Sequence, residues 1–567
     1  MRLIAFATDY DGTLAHHGRV DKPTIAALEA LKAAGLKLLM VTGRELPDLQ
    51  QVFDRLDLFD LVVAENGSLL YLPATQEERP VAPPPPPELV AALEARGVAP
   101  LSVGRGIVAT WEPNETAVLE TIRDLGLEWQ IIFNKGAVMV LPPGVNKASG
   151  LAAALTAMKL SPLNVVAIGD AENDHAFLTA SGCSVAVANA LDAVKATADL
   201  VTKADHGAGV AEAIAALLAE DSPLIASAAA RKQITLSADA PEAALRSDQG
   251  GVLIAGSSGF GKSTLATALI EKLTAQGFQL MIVDPEGDYD GLQPGIVLGD
   301  ATHQPTVQEA MGVLEEPGAP PLVVNLLGFK VEDRPKVFRE LMAQAGELAR
   351  SHARPHWLVI DEAHHMLPIE ASGAAEPASL PPLPAILVTV HPDQMAPAAL
   401  AGVNTVLAVG PQAGEVIKAF CKAVGTSAPR IPKAPEGEAV LYWSRLAGKP
   451  MWVEADRPVQ DLKRHVRKYA EGELGEDKSF YFRGPKKALN LRAQNLATFL
   501  QIADGVDDAT WLHHLQRGDY TRWFRAAIKD DDLAREAKAL QAQRDPAETR
   551  SRMREMVERR YTAPAKT

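Results

Sequence analysis

Residues 2–15 read RLIAFATDYDGTLA, an apolar run that ends in two aspartates and a glycine. A short continuous apolar segment followed by a turn signal predicts a buried strand of a parallel sheet. Asp9 and Asp11 then lie at the carboxyl end of this strand, where open α/β sheets bind their ligands. Gly12 permits the sharp turn that follows. One such carboxylate can attack a phosphorus atom when cations neutralise the repulsion, while the other protonates the leaving oxygen.

The surrounding sequence extends this strand into a sheet. Apolar runs alternate with the helix-like segment KPTIAALEALKAAG, which has proline near its start and glycine past its end. We therefore predict a Rossmann-like α/β core that comprises residues 1–80 and 145–222. The proline-rich run PVAPPPPPELV cannot enter the interior of a sheet, so we predict that residues 81–144 form an inserted small α+β unit.

Four motifs, in this order, resemble those of the haloacid dehalogenase (HAD) superfamily. They are DYDGTLA at residues 9–15, VTGR at 41–44, GVNKASG at 144–150 and GDAENDHAFL at 169–178. The resemblance covers roughly residues 1–220, and the inserted unit resembles the C2-type cap of Cof-like and archaeal phosphoglycolate or sugar-phosphate phosphatases. It implies a phosphomonoester hydrolase acting on a small phosphorylated metabolite. Because cap residues choose the substrate, the motifs leave its leaving group open.

The resemblance also implies a role for each motif residue. Asp9 would be the nucleophile that becomes a phospho-aspartate, and Asp11 would be the general acid and base. Thr42 would bind the phosphate through its hydroxyl group. Lys147 would be the cation that steadies the phospho-aspartate.

A Mg²⁺ site is implied at the same place. Asp170 and Asp174 would hold the ion together with Asp9 and the backbone carbonyl of Asp11, and hard oxygen ligands of this kind suit Mg²⁺. The residues expected to face the substrate or the entrance are Gly43, Arg44, Glu65, Asn66 and Asn173, with Arg105 and Lys135 as further candidate cations.

A second phosphate-binding motif lies in the middle of the chain. Residues 256–263 read GSSGFGKS, which matches G-x-x-x-x-G-K-[ST] between an apolar strand and a helix-like segment. Backbone amides of such a loop cradle phosphates, while Lys262 would reach the β and γ phosphates of ATP and Ser263 would bind Mg²⁺. The predicted nucleotide-binding residues are Gly256, Gly259, Gly261, Lys262, Ser263, Thr264 and, from a later strand, Asp361.

That later strand, HWLVIDEAHH, carries Asp361 for the outer sphere of the metal and Glu362 to polarise a water molecule. A glutamate directly after the Walker B aspartate indicates hydrolysis, with water as the phosphoryl acceptor. The segment LMIVDPEGDYDGL at residues 280–292 resembles the HerA and FtsK-related ring ATPases, and this likeness covers about residues 230–456. Where that family has Gln-Arg in a sensor segment, this chain has Val390 and His391.

The HerA likeness implies partners as well as a cofactor. Its members form hexamers that move DNA, so a homo-oligomer that binds ATP, and DNA as a further partner, are expected. An arginine of the neighbouring subunit completes their ATP site, and Arg354 and Arg430 are candidates for it.

Two alternatives remain open at this stage. In one, a P-loop kinase accompanies the phosphatase in a bifunctional protein that processes nucleic-acid ends. Such a kinase needs a different base and an arginine-bearing lid, whereas this chain has Glu362 and the DPEGDY segment. In the other, the P-loop domain is a nucleotide-gated assembly scaffold that controls the phosphatase.

Composition limits the remaining possibilities. The chain of 567 residues has a net charge of −15, which argues against a protein that coats nucleic acid with its whole surface. Residues 457–567 are the basic part, with 23 Lys and Arg against 17 Asp and Glu. Their helical apolar spacing predicts an α-helical C-terminal module from residue 460 onward, whose preferred role is structural packing and whose charge leaves an anionic partner possible.

Cellular location is predicted from what the sequence lacks. No apolar run reaches the length of about 18 residues that a membrane span needs, and the N-terminus has no signal-peptide pattern. The two cysteines, Cys183 and Cys421, lie far apart in the sequence. A reducing cytoplasm without membrane attachment is therefore expected. No metal site is predicted at the histidine pairs, because adjacent side chains are expected to diverge. These pairs are His16/His17, His364/His365 and His513/His514.

Overall fold

The computed structural model divides into two compact units. The first is Met1–Glu286 with Gln293–Gln460, and the second is Gly287–Leu292 with Asp461–Thr567. The structure describes residues 2–134, 136–257, 260–369, 380–435, 437, 439–446, 448–460, 469, 474, 478–528 and 530–561.

Among these described residues, no single helix is long and apolar enough to cross a membrane. Two consecutive helices, His206–Leu218 and Pro223–Arg231, meet the criteria of length and composition only as a pair, which is bent by 82°.

The N-terminal part contains an eight-stranded sheet. In order across the sheet, its strands are Leu200–Val201, Cys183–Ala186, Val165–Gly169, Ala5–Thr8, Lys37–Val41, Leu61–Ala64, Leu69–Leu72 and Glu77–Pro80. The first six strands are parallel, as their continuous apolar sequences predict. The last two are antiparallel additions that the parallel rhythm did not predict. Pro80 ends the edge strand, where a missing backbone donor is tolerated.

Helices connect and cover this sheet. They are Lys22–Ala33, Leu46–Val52, Lys147–Ala157, His175–Ala180, Asp192–Thr197, His206–Leu218 and Pro223–Arg231. Short 3₁₀ turns occur at Leu56–Leu58, Glu65–Gly67, Pro162–Asn164 and Glu172–Asp174. The core between sheet and helices is made of aliphatic and aromatic side chains that are almost wholly buried. The predicted Rossmann-like core is therefore confirmed.

The inserted unit is a separate small α+β layer. Its four antiparallel strands, in order across the sheet, are Ser102–Val103, Val108–Trp111, Ala137–Leu141 and Gln130–Asn134. Its helices are Pro87–Ala95 and Glu115–Asp124, which pack their buried leucine, valine and isoleucine residues on the sheet. This arrangement confirms the predicted α+β class of the insertion.

A second large sheet follows, with nine strands. In order they are Ile296–Leu298, Leu322–Asn325, Leu280–Asp284, Trp357–Ile360, Ala385–Thr389, Gly251–Gly256, Val403–Val409, Val440–Ser444 and Met451–Val453. All pairs are parallel except those made by the last two strands. The strand before the GSSGFGKS loop therefore lies near the centre, with Ala385–Thr389 between it and the strand that precedes Asp361. The helices are Lys262–Ala275, Val307–Glu315, Arg334–His352, Ala363–Met366, Pro397–Ala401 and Ala413–Ala423.

Buried polar contacts join these two α/β domains within the first unit. The guanidinium of Arg354 is fully buried and donates to the backbone carbonyls of Lys159, at 2.7 Å, and Glu315, at 3.0 Å. His356 Nε2 lies 3.2 Å from Asn164 Oδ1. Arg354 is thus enclosed by its own chain, which removes it as one of the two candidates for the arginine that a neighbouring subunit would insert into the ATP site. Arg430 is exposed and stays a candidate.

The second unit is a helical module with an aromatic core. Its helices are Leu496–Gly505, Asp508–Gln516, Asp519–Trp523, Asp531–Ala539 and Pro546–Arg560, with a π-helical turn at Phe524–Ile528. A two-stranded antiparallel sheet, Phe480–Phe482 with Leu491–Ala493, adds to the predicted helices. The imidazole of His514 is buried, accepts the backbone N–H of Arg483 at 3.0 Å and contacts Asp519 at 2.8 Å. These residues pack the module, as the preferred interpretation expects.

Candidate active sites

Three buried carboxylates meet at the carboxyl edge of the N-terminal sheet. Asp9 follows the strand Ala5–Thr8, and Asp170 and Asp174 follow the neighbouring strand Val165–Gly169. Their exposed fractions are 4% or less, and one oxygen of each lies within 4.8 Å of the others. The parallel register of the two strands brings these residues together, although more than 150 positions separate them in the sequence. This donor set has the hard oxygen chemistry of a Mg²⁺ site.

Lys147 lies inside this cluster. Its Nζ is 2.6 Å from Asp9 Oδ1 and 2.6 Å from Asp174 Oδ1, and the side chain is 1% exposed. The helix Lys147–Ala157 begins at this residue, and Asn146 caps the helix by accepting the backbone N–H of Ser149. The predicted cation thus contacts the predicted nucleophile.

Burial and charge shift the pKa values of this cluster. Burial, followed by the neighbouring Asp174, raises the pKa of Asp9 to about 8, while Lys147 opposes that rise. Burial disfavours the charged form of Lys147, but the two carboxylates outweigh it and raise the pKa of the ammonium group. The cluster holds three acidic groups against one cation, which favours the binding of further positive charge.

Hydrogen bonds orient the carboxylates that flank Asp9. The backbone N–H groups of Asp170 and Ala171 donate to Asp174 Oδ2, at 2.8 and 2.9 Å. The hydroxyl of Thr13 donates to Asp170 Oδ1 at 2.9 Å. Thr13 was not among the predicted site residues, although it follows Asp11 in the DYDGT stretch. Its position directly after the turn at Gly12 was the feature of the sequence that could have indicated a place in the site.

Asp11 and Arg44 form a close pair. Arg44 donates from Nε and Nη2 to the two oxygens of Asp11, at 2.6 and 2.7 Å, and from Nη1 to Asp48 at 2.5 Å. These carboxylates raise the pKa of the guanidinium, and the hydrogen bond to Asp11 is the largest cause. Arg44 therefore orients Asp11 in this structure, and a contact with substrate stays a prediction.

Thr42, Gly43, Asn66 and Asn173 lie close to one another. Thr42 is fully buried at the end of the strand Lys37–Val41. Asn173 Nδ2 donates to Asn66 Oδ1 at 3.2 Å. A side chain at Gly43 would contact Met139 of the insertion at 3.6 Å and Asn173 at 3.8 Å. The insertion thus reaches the edge of the site, and the sequence did not single out Met139.

Glu65 connects the core to the insertion. Its carboxylate is 1% exposed and accepts the backbone N–H groups of Arg105, at 3.1 Å, and Gly106, at 2.9 Å. Burial raises the pKa of Glu65 above its usual range. The side chain of Arg105 is paired with Glu78 at 2.9 Å. The other candidate cation, Lys135, lies outside the described residues.

The described residues of the GSSGFGKS stretch connect a strand to a helix. The central strand ends at Gly256, where a β carbon would lie 2.3 Å from the carbonyl oxygen of Val409. Gly261 has a φ of +91°, which glycine adopts without strain, and the helix Lys262–Ala275 begins immediately after it. Lys262 Nζ donates to the carbonyl of Ser257 at 3.2 Å. Ser263 and Thr264 lie in the first helical turn, and Gly259 lies outside the described residues.

Asp361 and Glu362 end a strand of the same sheet. Asp361 is 3% exposed, and its Oδ1 accepts the backbone N–H of Glu362 at 2.9 Å. Glu362 has a φ of 42°, in the left-handed region. Its Oε2 lies 3.4 Å from Nδ1 of His364, a residue to which the sequence assigned no role. The predicted Walker residues therefore lie at one sheet edge, as their strand positions indicate.

The histidine pairs do not diverge, contrary to the sequence-based expectation. Ring centroids are 4.1 Å apart for His16 and His17, and His206 stacks on His16 at 4.3 Å. His364 and His365 are 4.0 Å apart. His16 and His17 lie in a turn, where His17 has a φ of 50°, whereas His364 and His365 lie in the helix Ala363–Met366. The rings of His513 and His514 are 5.2 Å apart and nearly perpendicular.

Comparisons with known proteins find a family for each of the two α/β domains. Residues 6–82 and 117–214 match the family described as haloacid dehalogenase-like hydrolase, and residues 245–411 match the family described as AAA domain. Over 225 residues the chain is 36% identical to the phosphoglycolate phosphatase of Methanothermobacter thermautotrophicus, with 37% of this chain and 96% of that protein covered.

Other relatives have similar coverage. The phosphoglycolate phosphatase of Haloarcula marismortui is 30% identical over 228 residues, which cover 36% of this chain and 94% of that protein. A solved haloacid dehalogenase-like hydrolase from Bacteroides thetaiotaomicron is 19% identical and covers 38% of this chain and 99% of that chain, with a TM-score of 0.33. Because nearly the full length of the archaeal relatives aligns, this chain belongs to the haloacid dehalogenase-like hydrolases and carries an AAA-type P-loop domain after its phosphatase part.

Proposed function

We propose that the N-terminal part is a Mg²⁺-dependent phosphomonoester hydrolase that acts through a phospho-aspartate at Asp9. The observation that carries this proposal is the 2.6 Å contact of Lys147 Nζ with Asp9 Oδ1 inside a cluster of three buried carboxylates. An aspartate can attack a phosphate only when nearby positive charge offsets the repulsion between the two anions. Lys147 supplies one such charge, and the donor set of the cluster suits a divalent cation.

The mechanism assigns each residue one task. An oxygen of Asp9 attacks phosphorus, the bond from phosphorus to the leaving oxygen breaks, and Asp11 gives that oxygen a proton. Asp11 then takes a proton from water, which attacks phosphorus and restores the Asp9 carboxylate. Arg44 orients Asp11 through its two hydrogen bonds. Thr42 and Asn173 are the groups that would bind the transferred phosphate.

Mg²⁺ would be held by Asp9, Asp170 and Asp174, together with the carbonyl of Asp11. When bound, the ion supplies charge that stabilises the phosphate oxygens during transfer. The substrate is a small phosphorylated metabolite, which the names of the archaeal relatives support, and the insertion places Met139 close to Gly43. Phosphoglycolate, after which the archaeal relatives are named, is the first candidate to test.

Replacement of Asp9 by Asn tests this mechanism. We expect phosphate release to fall at least about 1000-fold, because an amide cannot form the phospho-enzyme. Phosphate release from phosphoglycolate, sugar phosphates and nucleotides is measured with and without Mg²⁺. Asp192→Asn is the matched control, since its side chain is fully exposed. Wild-type turnover by the Asp9 variant would exclude the phospho-aspartate.

We further propose that the P-loop domain binds and hydrolyses ATP as a HerA-like oligomer. The observation behind this proposal is the order of the strands: the strand that ends at Gly256 and the strand that leads into Asp361 flank the strand Ala385–Thr389. Ser263 would bind the ATP-associated Mg²⁺, with Asp361 in its outer sphere, and Glu362 would polarise the attacking water. A hexamer that acts on DNA follows from the HerA likeness and is part of this proposal.

Two variants distinguish the three candidate functions of the P-loop domain, which are an ATP-hydrolysing motor, a kinase and an assembly scaffold. Lys262→Ala is expected to abolish ATP turnover by weakening nucleotide binding, and Glu362→Gln by slowing hydrolysis with nucleotide still bound. Both are measured with and without DNA, beside oligomer size with and without ATP. Transfer of the γ-phosphate to a 5′-hydroxyl end would favour the kinase alternative. Nucleotide-dependent assembly without turnover would favour the scaffold.

A further inference from the structure

The backbone carbonyl of Gly12 lies against two side chains to which the sequence motifs assign no role. Asn189 Nδ2 donates to this carbonyl at 2.7 Å, and His206 Nδ1 lies 2.8 Å from it. Because a carbonyl oxygen can only accept, the imidazole carries a proton on Nδ1. The backbone N–H of His206 donates to Asn189 Oδ1 at 2.8 Å. The three residues thus form a closed set of hydrogen bonds, which we call the Gly12 clamp.

Gly12 needs such restraint because glycine has the greatest backbone freedom of all residues. It has a φ of +88°, in the left-handed region. Its N–H donates to the carbonyl of Ala15 at 3.0 Å, which fixes the peptide group that Gly12 shares with Asp11. The clamp fixes the other peptide group, which Gly12 shares with Thr13. Both sides of a residue that otherwise has many accessible conformations are therefore held.

The two neighbours of Gly12 connect its position to the phosphatase site. In the proposed mechanism Asp11, which precedes it, is the general acid and base, and the Asp11 carbonyl is a Mg²⁺ ligand. Thr13, which follows it, donates its hydroxyl to Asp170 Oδ1 at 2.9 Å. A rotation about the backbone of Gly12 moves both neighbours. Misplacement of a reacting group by about 1 Å can lower the rate about 100-fold.

Asn189 joins the loop at Gly12 to the loop that carries Asp170. It lies in the segment that follows the strand Cys183–Ala186. Two residues further on, the backbone N–H of Leu191 donates to the carbonyl of Asp170 at 3.0 Å. This bond fixes the segment beside Asp170, while the side chain of Asn189 reaches Gly12. The two loops of the site are therefore connected outside the carboxylate cluster as well as within it.

The backbone of His206 is strained, and its contacts account for the strain. His206 begins the helix His206–Leu218 at a φ of 46°, a left-handed conformation that non-glycine residues rarely adopt. Such strain persists where the surrounding contacts hold a residue in place, and it is concentrated at functional sites. In this conformation the N–H of His206 bonds to Asn189 while the ring bonds to Gly12.

We propose that Asn189 and His206 are positioning residues for phosphoryl transfer, which act by fixing the carbonyl of Gly12. This inference rests on the proposed phospho-aspartate mechanism at Asp9. Neither side chain touches the substrate or the metal in this scheme. They hold the loop from which Asp11 gives its proton to the leaving oxygen. Without the clamp Asp11 spends less time in the reactive orientation, so a smaller fraction of the bound substrate reacts.

Single substitutions remove or restore the hydrogen bonds of the clamp. His206→Gly removes the ring but accepts the φ of 46°, so it separates loss of the donor from backbone strain. Asn189→Asp keeps an oxygen for the N–H of His206 but places a second oxygen against the carbonyl of Gly12. His206→Asn keeps a donor close to the position of Nδ1 and suits the left-handed region.

His16→Ala is the matched control. The ring of His16 is exposed and stacks on the ring of His206, with centroids 4.3 Å apart. Its loss therefore changes the surroundings of the clamp without removing either of the two groups that donate to Gly12.

The first test measures phosphate release by the full chain, with the compound that the wild type hydrolyses fastest among phosphoglycolate, sugar phosphates and nucleotides. We expect His206→Gly and Asn189→Asp to lower kcat about 10- to 100-fold with KM changed less than about threefold, because binding is retained while the acid is misdirected. His206→Asn should lie within about threefold of the wild-type kcat, and His16→Ala within about twofold.

A second readout is independent of turnover. Calorimetric titration of the full chain with Mg²⁺ alone, without nucleotide, should give a dissociation constant at least about threefold higher in His206→Gly than in the wild type. The reason is that the loosened loop no longer fixes two of the proposed ligands, the carbonyl of Asp11 and the carboxylate of Asp170. A circular dichroism spectrum equal to that of the wild type excludes unfolding as the cause.

Several results would overturn the inference. They are wild-type kcat in His206→Gly or Asn189→Asp, unchanged Mg²⁺ affinity in His206→Gly, no recovery in His206→Asn, and an equal loss in His16→Ala. If the wild type releases no phosphate, or if Asp9→Asn keeps its activity, the proposed function fails as well. An active wild type and an inactive Asp9→Asn, beside clamp variants that match the wild type, reject this inference alone.

Discussion

Charge balance at single residues governs the phosphatase site. Lys147 lies between two carboxylates at 2.6 Å from each, with almost no access to water. In a buried site, removal of one partner of an ion pair destabilises the fold by more than the intact pair stabilises it, because an uncompensated charge is left behind. Here the remaining charges would be those of Asp9, Asp170 and Asp174. The lysine therefore serves the stability of the fold, in addition to the chemical role proposed for it.

Replacement of Lys147 by Met should show both effects. We expect the free energy of unfolding in the absence of Mg²⁺ to fall by about 3–5 kcal/mol, since three carboxylates then lack their cation. Phosphate release should also be lost. Denaturant unfolding in EDTA measures the first effect, with Lys37→Met, an exposed lysine paired with Asp60, as the control. A loss no larger than in this control would contradict the prediction.

The contact between one helix and one turn positions the same lysine. The helix Lys147–Ala157 packs against the turn Glu65–Gly67 through two glycines. A β carbon on Gly150 would lie 2.5 Å from the α carbon of Gly67, and one on Gly67 would lie 2.0 Å from the carbonyl oxygen of Asn146. Only glycine permits this close approach. The turn therefore needs Gly67, and the helix needs Gly150, for the two elements to pack together.

Gly150→Ala should therefore impair activity and stability together. The added methyl group meets backbone, so the helix must move, and overpacking of this kind costs about 1–3 kcal/mol. Displacement of Lys147 should lower kcat for phosphate release. Gly144→Ala is the control for backbone strain alone, because its φ is +77° and no atom lies within 4 Å of the added carbon. Equal activity of the two variants would refute the packing argument.

Within the first unit, buried polar contacts of Asn164, Arg354 and His356 connect the two α/β domains, and we call this group of contacts the joint. Asn164 directly precedes the strand that leads to Asp170, and His356 directly precedes the strand that leads to Asp361. The two residues contact each other at 3.2 Å, and His356 Nδ1 accepts the backbone N–H of Gln279 at 2.8 Å. Each active site is thus separated from the joint by one strand of its own sheet.

This joint should make the protein sensitive to acid. Burial, with smaller contributions from the nearby positive charges, lowers the pKa of His356 from 6.5 to about 3. The folded state therefore binds this proton less readily than the unfolded state, so stability is complete above pH 6.5 and falls as the pH drops below it. At pH 5 the loss should be about 2 kcal/mol from this residue.

Denaturant unfolding between pH 5 and 8 measures this loss in the wild type and in His356→Asn. The amide oxygen of Asn can accept the N–H of Gln279 without titrating, so the variant should lose that part of the pH dependence. His17→Asn, which changes an exposed histidine, should keep it. Identical pH profiles for all three proteins would assign the acid sensitivity elsewhere.

The sequence alone was sufficient to predict the two α/β sheets and the inserted α+β unit, and it supplied the residues to which the proposed function assigns roles. Local patterns suffice for these features, because Asp9, Thr42, Lys262 and Asp361 each follow a strand or begin a helix, and such residues meet at one edge of a parallel sheet. The two antiparallel strands at the edge of the first sheet were not predicted, because the register between strands depends on side-chain packing across the sheet.

The tertiary structure sets the contacts between residues that are distant in the sequence. It enclosed Arg354 in the joint between domains, paired Arg44 with Asp11 and turned His364 towards Glu362. A charged or imidazole side chain carries no local signal of its partner, because partner choice depends on which elements pack together and how much water they exclude. The types of residue at each site were therefore readable from the sequence, and their pairing was a property of the fold.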